Sequence, residues 1–327
     1  MPTPVQNLEV AADEADLRLD RWFRRHFPGL THGKLEKLLR TGQVRVDGGR
    51  VKANARLEAG QKIRIPPMSD EMLVQSDEPR KVRPNAREEK NLKDSILFED
   101  KDVLVINKPA GLAVQGGTGI SKHLDGFLTA IYENETRPKL VHRLDKETSG
   151  VFVLAKNDFA AAHLSKSFRE RTTRKYYWAL VHGVPKPKQG KIIMPLSKGK
   201  DGRMHPDKGE GKNAVTLYEV VQTALKVSFI ALWPLTGRTH QLRAHMFEID
   251  TPIVGDDMYY DEKTPMIDGG IAIKKLHLHA RRLVIPHPRK GVIDITAPLP
   301  ELLKKSWSYF EFPEADGDPF ASFGDEL

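Results

Sequence analysis

Val141-His142-Arg143-Leu144-Asp145-Lys146-Glu147-Thr148-Ser149-Gly150 places a carboxylate two residues after an arginine, just ahead of the apolar run 151–155. A polar loop that ends in glycine and passes into such a run reads as the entrance of a buried strand. Working outward, strand-like runs occur at 96–98 and 103–106, paired across a short polar turn, and again at 175–181, 215–221 and 227–233. Helical periods appear at 158–171 and 239–248. Strands and helices do not alternate regularly. The pattern therefore predicts an α+β fold, a mixed, largely antiparallel sheet with flanking helices, rather than a doubly wound one.

Two further segments carry chemistry. Lys175-Tyr176-Tyr177-Trp178-Ala179-Leu180-Val181 brings a phenol into a strand, and Leu235-Thr236-Gly237-Arg238-Thr239-His240-Gln241-Leu242-Arg243-Ala244-His245 clusters arginine and histidine. Taken singly, Asp145 is equally a turn or cap aspartate, Arg143 an ordinary ion-pair partner and Tyr177 a core residue. His240 and His245 are five apart with no acid at metal-ligand spacing, so no metal is expected. Gly116-Gly117-Thr118-Gly119 lacks the lysine ending of a phosphate loop and reads as a flexible loop near a larger ligand.

The 327 residues hold 52 Lys and Arg against 44 Asp and Glu, a formal charge of +8 that favours a polyanionic partner. No cysteine is present, which excludes disulfides, thiolate metal sites and a cysteine nucleophile. No run approaches the ~18 apolar residues that a membrane span needs. The acid-rich start MPTPVQNLEVAADEAD resembles neither a signal nor a transit peptide. The expectation is a cytoplasmic protein, monomeric and independent of membranes and cofactors.

Charge is uneven along the chain: residues 1–65 hold 13 Lys and Arg against 8 Asp and Glu, which is +5 of the total. Within 18–65, Leu19, Trp22, Phe23 and Phe27 recur at helical spacing up to a Pro28-Gly29 break. Thr31 is placed to cap a second helix that Gly42 ends, and a turn at Asp47-Gly48-Gly49 follows a short strand. This segment resembles the S-four-like RNA-binding domain, a small α/β module. The resemblance implies that Arg18, Arg21, Lys34, Lys37, Arg40 and Arg45 face RNA; read as residues alone, they are equally the solvated faces of two helices. The expected division is an N-terminal arm at 1–17, the RNA-binding domain at 18–65, a proline-rich linker at 66–93, a catalytic domain at 94–310 and an acidic flexible tail at 311–327.

HRLDKETSG, KYYWALVHG and TGRTHQLRAH together resemble the RluA family of pseudouridine synthases, from about Ile96 to Pro300. NKPAGLAVQGGTG and LHLHARRL are most similar to the RluC type, with the RluD type close in architecture. The resemblance implies isomerisation of uridines in large-subunit ribosomal RNA or its assembly intermediates, without cofactor. It implies Asp145 as the catalytic carboxylate, Tyr177 as the phenol that stacks on the target base and Arg243 as the cation that pairs with the aspartate. Arg143 would contact the RNA where the uridine has left the stack, and Arg238 and His240 would make phosphate or supporting contacts. The same residues leave two other readings open: an RNA glycosidase that releases uracil, and a non-catalytic ribosome-assembly protein that binds RNA.

Overall fold

The computed structural model describes residues 4–68, 83–117, 120–133, 136–262, 264, 275–314 and 319–320. It divides into two units, Met1–Lys81 and Val82–Leu327.

The first unit is built from β1 (Gln6–Glu9), a 3-10 turn (Ala12–Glu14), α1 (Leu19–His26), α2 (His32–Arg40), β2 (Arg45–Val46) and β3 (Lys62–Ile65). Its three strands lie in the order β1-β3-β2, all antiparallel. Leu19, Trp22, Phe23 and Phe27 pack with Leu35, Leu39, Ile63 and Ile65 into one core. Thr31 caps α2 by accepting the Lys34 amide, and Gly42 leaves the helix at φ +69, where glycine has no Cβ to clash. The sheet thus starts at Gln6, inside the segment expected as an arm, because Leu8 packs on the same core.

The second unit opens with α3 (Ala86–Asp94), which lies inside the expected linker. Only Leu92 of that helix is buried, so no apolar period announces it. Its signal is the capping box, in which Asn85 and Glu88 each accept the other's backbone amide at 2.9 Å. There follow β4 (Ile96–Glu99), β5 (Val103–Lys108), α4 (Leu124–Ile131), β6 (Lys139–Leu140), β7 (Ser149–Ala155), α5 (Asp158–Glu170) and β8 (Arg174–His182). Next come β9 (Gln189–Ile193), the hairpin of β10 (Leu196–Lys198) and β11 (Met204–Pro206), β12 (Val215–Ala224), β13 (Val227–Pro234) and α6 (Gln241–Glu248). The last elements are β14 (Leu278–Pro286), β15 (Val292–Thr296) and α7 (Glu301–Tyr309).

Ten strands form one mixed sheet in the order β4-β5-β7-β14-β8-β13-β12-β9, with β6 beside β7 and β15 beside β14. Of these pairings only β7 with β14 is parallel, so the mixed, largely antiparallel sheet with flanking helices is the observed fold. The chain end departs from the expected flexible tail: Phe312 and Phe320 are buried, and Phe320 stacks on Tyr176 at 5.7 Å. Burying two aromatic rings outweighs the cost of holding an acidic segment in place. Residues 315–318 and 321–327 of that segment, and Thr118 and Gly119 of the glycine loop, lie outside the described residues. Among the described residues no helix is long and apolar enough to cross a membrane.

Candidate active site

Asp145 sits on a loop that is held from two sides. On one side, the His142 ring is stacked between Phe152 (4.3 Å) and Phe168 (4.4 Å), and its Nε2 accepts the Val153 amide at 2.9 Å. Burial pulls that imidazole down to about 3, so it stays neutral and keeps accepting. On the other side, Lys108 is fully buried and its Nζ donates to the carbonyls of Pro109 and Leu112 (2.9 Å each) and of Lys146 (3.2 Å). Three carbonyls match the three hydrogens of an ammonium. Burial pulls Lys108 down to about 7 against the opposing fields of Glu147 and Asp145. Neither His142 nor Lys108 was expected at the site. A lysine ending the apolar strand 103–108 was the available signal.

The loop closes into β7 at Gly150, which explains how distant segments meet. Gly150 lies beside Ala280 of β14, Ala280 beside Tyr177 of β8, and Tyr177 beside Leu232 of β13. One row across the sheet therefore carries both the end of the Asp145 loop and the phenol. At Gly150 (φ +115) an added Cβ would stand 2.2 Å from the Ala280 carbonyl oxygen, so only glycine admits the neighbouring strand. The Tyr177 hydroxyl is pushed well above its ordinary range, first by burial and then by the charge of Asp145, so it remains a protonated donor.

The third segment brings Arg243 to the same place, but with a different partner from the one expected. Arg243 is buried on α6, and its Nε and one Nη grip the two oxygens of Asp256, both at 2.6 Å. Asp256 also accepts the amides of Met258 and Tyr259 at 2.9 Å each, and the Tyr259 ring lies under the guanidinium at 5.1 Å. Burial lowers the Arg243 pKa, while the Asp256 bonds and charge and the more distant Asp145 raise it; the net shift is upward. The direct pair is thus Arg243–Asp256, and Asp145 feels the arginine as a field. A planar fork prefers two fixed oxygens, and the turn at 256–259 supplies them already oriented by backbone donors. Asp256 was missed because it lies in a separate loop at no telling spacing from Arg243.

Around α6 the motif residues are pinned in turn. Gln241 donates to the Val215 carbonyl and the Thr216 hydroxyl and accepts from the Arg238 amide and the Thr236 hydroxyl. The Arg238 Nε donates to the Asn213 carbonyl at 3.0 Å. His240 caps α6 at φ +50 and lies 3.3 Å from the Tyr259 hydroxyl. Its pKa is lowered, chiefly by burial; Asp145, Arg243, Asp256 and Arg143 all act on it at shorter or longer range. Among the described residues no group of His, Asp or Glu is arranged to hold a metal ion.

These segments line a cavity of about 950 Å³. Arg143, Asp145, Tyr177, Arg238 and Arg243 all line it, whereas His240 is not among the lining residues. Four cations from the turn at 169–175 also line it, and Asp145 is the one carboxylate among the lining residues. Such a wall, seven cations around a single carboxylate, suits a polyanion presented to one acid.

In the first unit, Arg21, Lys34, Lys37 and Arg40 are exposed, the last three at successive third positions of α2. Arg18 instead grips Asp20 through two nitrogens (3.1 and 2.5 Å), and Arg45 donates to the carbonyls of Gly42 and Gly48, tying the turn together. Those two arginines are partly spent on local structure.

Residues 102–248 match the family model described as RNA pseudouridylate synthase. Curated relatives include the ribosomal large subunit pseudouridine synthase C of Escherichia coli (strain K12), 36% identical over 307 residues, spanning 92% of this chain and 95% of the relative. That of Vibrio cholerae is 33% identical over 305 residues, spanning 93% and 96%. Among solved structures, human RNA pseudouridylate synthase domain containing 4 superposes with a TM-score of 0.58 at 31% identity, covering 70% of this chain and 97% of that one. Human RNA pseudouridylate synthase domain containing 1 gives 0.54 at 27%, covering 71% and 99%.

Proposed function

The chain belongs to the RNA pseudouridylate synthase family, and from that premise we propose that it isomerises particular uridines of large-subunit ribosomal RNA, with Asp145 as the catalytic carboxylate. The observation that carries the assignment of the residue is the cavity lining: one carboxylate, beside a protonated phenol, within a wall of cations.

The reaction breaks the bond between ribose and N1 of uracil, turns the base and rejoins ribose to C5. Asp145 acts on the sugar at that bond, as nucleophile or as base toward a sugar proton. The target base must leave its helix, at a cost of a few kcal/mol. Tyr177 offsets part of that cost by stacking on the displaced uracil, and Arg143 by entering the gap. Arg243, held by Asp256, contributes a fixed positive charge to the wall of the site. Arg238 completes the rim on the α6 side, and His240 supports it from the start of that helix.

The substrate is a large-subunit RNA or an assembly intermediate, which rests on what the curated relatives are named for; the protein is read as a cytoplasmic monomer. The first unit adds affinity through the exposed face of α2. Replacing Lys34, Lys37 and Arg40 together by glutamine in the full chain lowers the slope of log K against log[salt] by about 0.9 for each phosphate that this face neutralises. An unchanged slope contradicts this role. The activity is tested by incubating the purified protein with unmodified large-subunit RNA transcript and mapping pseudouridine at nucleotide resolution. Discrete new pseudouridines support the reading, and a transcript without them refutes it.

A further inference from the structure

The turn joining α5 to β8 does something that the reaction chemistry leaves unexplained. With the ends of the two elements it carries Arg169 at the close of α5, Arg171, and Arg174 and Lys175 at the start of β8, and its one acid, Glu170, is turned toward Lys166 at 3.9 Å. Three other arginines of this unit are paired with carboxylates, Arg243 with Asp256, Arg282 with Asp294 and Arg289 with Asp102, each at 2.6 Å. None of the four cations of the turn has a carboxylate within 4.0 Å among the described residues, yet all four line the cavity.

We infer that this turn is a phosphodiester subsite, in which Lys175 with Arg169 and Arg171 grips the RNA backbone next to the uridine held at Asp145 and Tyr177.

Three observations converge on an anion. First, Lys175 and Tyr177 are two residues apart on β8 and so share a face, roughly 7 Å apart along the strand. A charge there lies beside the nucleotide whose base meets the phenol. Second, Lys175 is half-buried with a like charge for a neighbour. Burial first, and Arg171 second, pull it down to about 8, the situation of an ammonium that lacks an anion. Third, Arg171 closes α5 in the left-handed region at φ +61, ψ +25. Glycine would occupy that conformation without steric cost, so the backbone alone gives no reason for an arginine. A phosphate would answer all three by neutralising the repulsion and filling the fork. Arg174 lies over the Trp233 ring at 5.6 Å and extends the same positive wall.

The inference rests on the proposed RNA reaction, and the test separates the two. Binding of the full-length protein to a large-subunit RNA transcript is measured from low to moderate salt, with pseudouridine formation by the unaltered protein followed on the same transcript. Arg171→Gly removes the charge while suiting the backbone. Its melting temperature should equal or exceed that of the parent, while the slope of log K against log[salt] falls by about 0.9. Lys175→Met should lower the slope similarly and slow single turnover, and Lys175→Arg should restore most of both. A Lys175→Met protein that fails to fold leaves the decision to Arg171→Gly. Unchanged slopes in folded variants overturn the subsite even where the parent makes pseudouridine. A transcript left unmodified by the parent overturns the RNA reaction instead, whatever the slopes.

Discussion

At the scale of single residues, the site depends on charges that are fixed before any substrate arrives. Arg243 and Asp256 are the clearest case, a buried pair in which the carboxylate is also held by two backbone amides. Removing one member of such a pair leaves an uncompensated buried charge, at a cost of about 3–5 kcal/mol. Arg243→Met is therefore expected to lose stability as well as turnover. Arg243→Met combined with Asp256→Leu should regain part of the stability and none of the rate. Denaturant unfolding and single-turnover kinetics at saturating enzyme measure the two effects. An Arg243→Met protein as stable as its parent contradicts the pairing, and a double variant with normal turnover contradicts the role of its field. The sequence motif did bring Arg243 to the cavity of Asp145, but its partner was illegible. A carboxylate 13 residues away in a loop has no spacing that distinguishes it from a solvated acid.

At the scale of elements, the geometry turns on the pairing of β7 with β14. Gly150 has no room for a side chain, since the obstacle is the Ala280 backbone, which cannot swing aside. Gly150→Ala should therefore cost at least about 3 kcal/mol through strain and overpacking, and it should displace the Asp145 loop that β7 continues. Soluble yield and thermal unfolding test this, and a melting temperature within two or three degrees of the parent, at about that value per kcal/mol, contradicts it. Strands with branched apolar runs, such as those within β5, β7, β12 and β13, were legible from their residues. β14 was not, because His279, Arg281 and Arg282 interrupt its alternation. Arg281 lies over the Trp178 ring at 4.2 Å, so a buried cation stands where a pattern leads one to expect an aliphatic residue. α3 was illegible for the opposite reason, since its residues are almost all charged and only the Asn85–Glu88 box marks its start. The buried Phe312 and Phe320 show how two aromatics reverse the reading of an acidic stretch.

At the scale of the whole molecule, stability depends on histidines buried as neutral rings. His245, His277 and His279 are each nearly inaccessible, and burial pulls each down to about 4. Their bonding fits the neutral form. His277 donates to the Lys275 carbonyl (2.7 Å) and accepts from Ser306 (2.8 Å), while His279 donates to the Ala297 carbonyl (3.1 Å) and accepts from Ser149 (2.8 Å). Because the folded pKa lies below the unfolded value, the unfolded chain binds these protons first as pH falls. Stability is therefore full above pH ~6.5 and declines toward pH ~4, by roughly 2 kcal/mol per histidine at pH 5. Thermal unfolding from pH 7.5 to 4.5 checks this, and a flat melting temperature contradicts it. On the proposed function, one carboxylate performs the chemistry inside a basic cavity. The most direct measurement compares the parent with Asp145→Asn on one large-subunit RNA transcript, reading pseudouridine by position and free uracil by mass. Asp145 as the isomerising carboxylate predicts pseudouridine at discrete positions, no uracil release and no product from the Asn variant, although that variant still binds the RNA. Pseudouridine formation by Asp145→Asn at the parental rate, or uracil release in place of isomerisation, would contradict it.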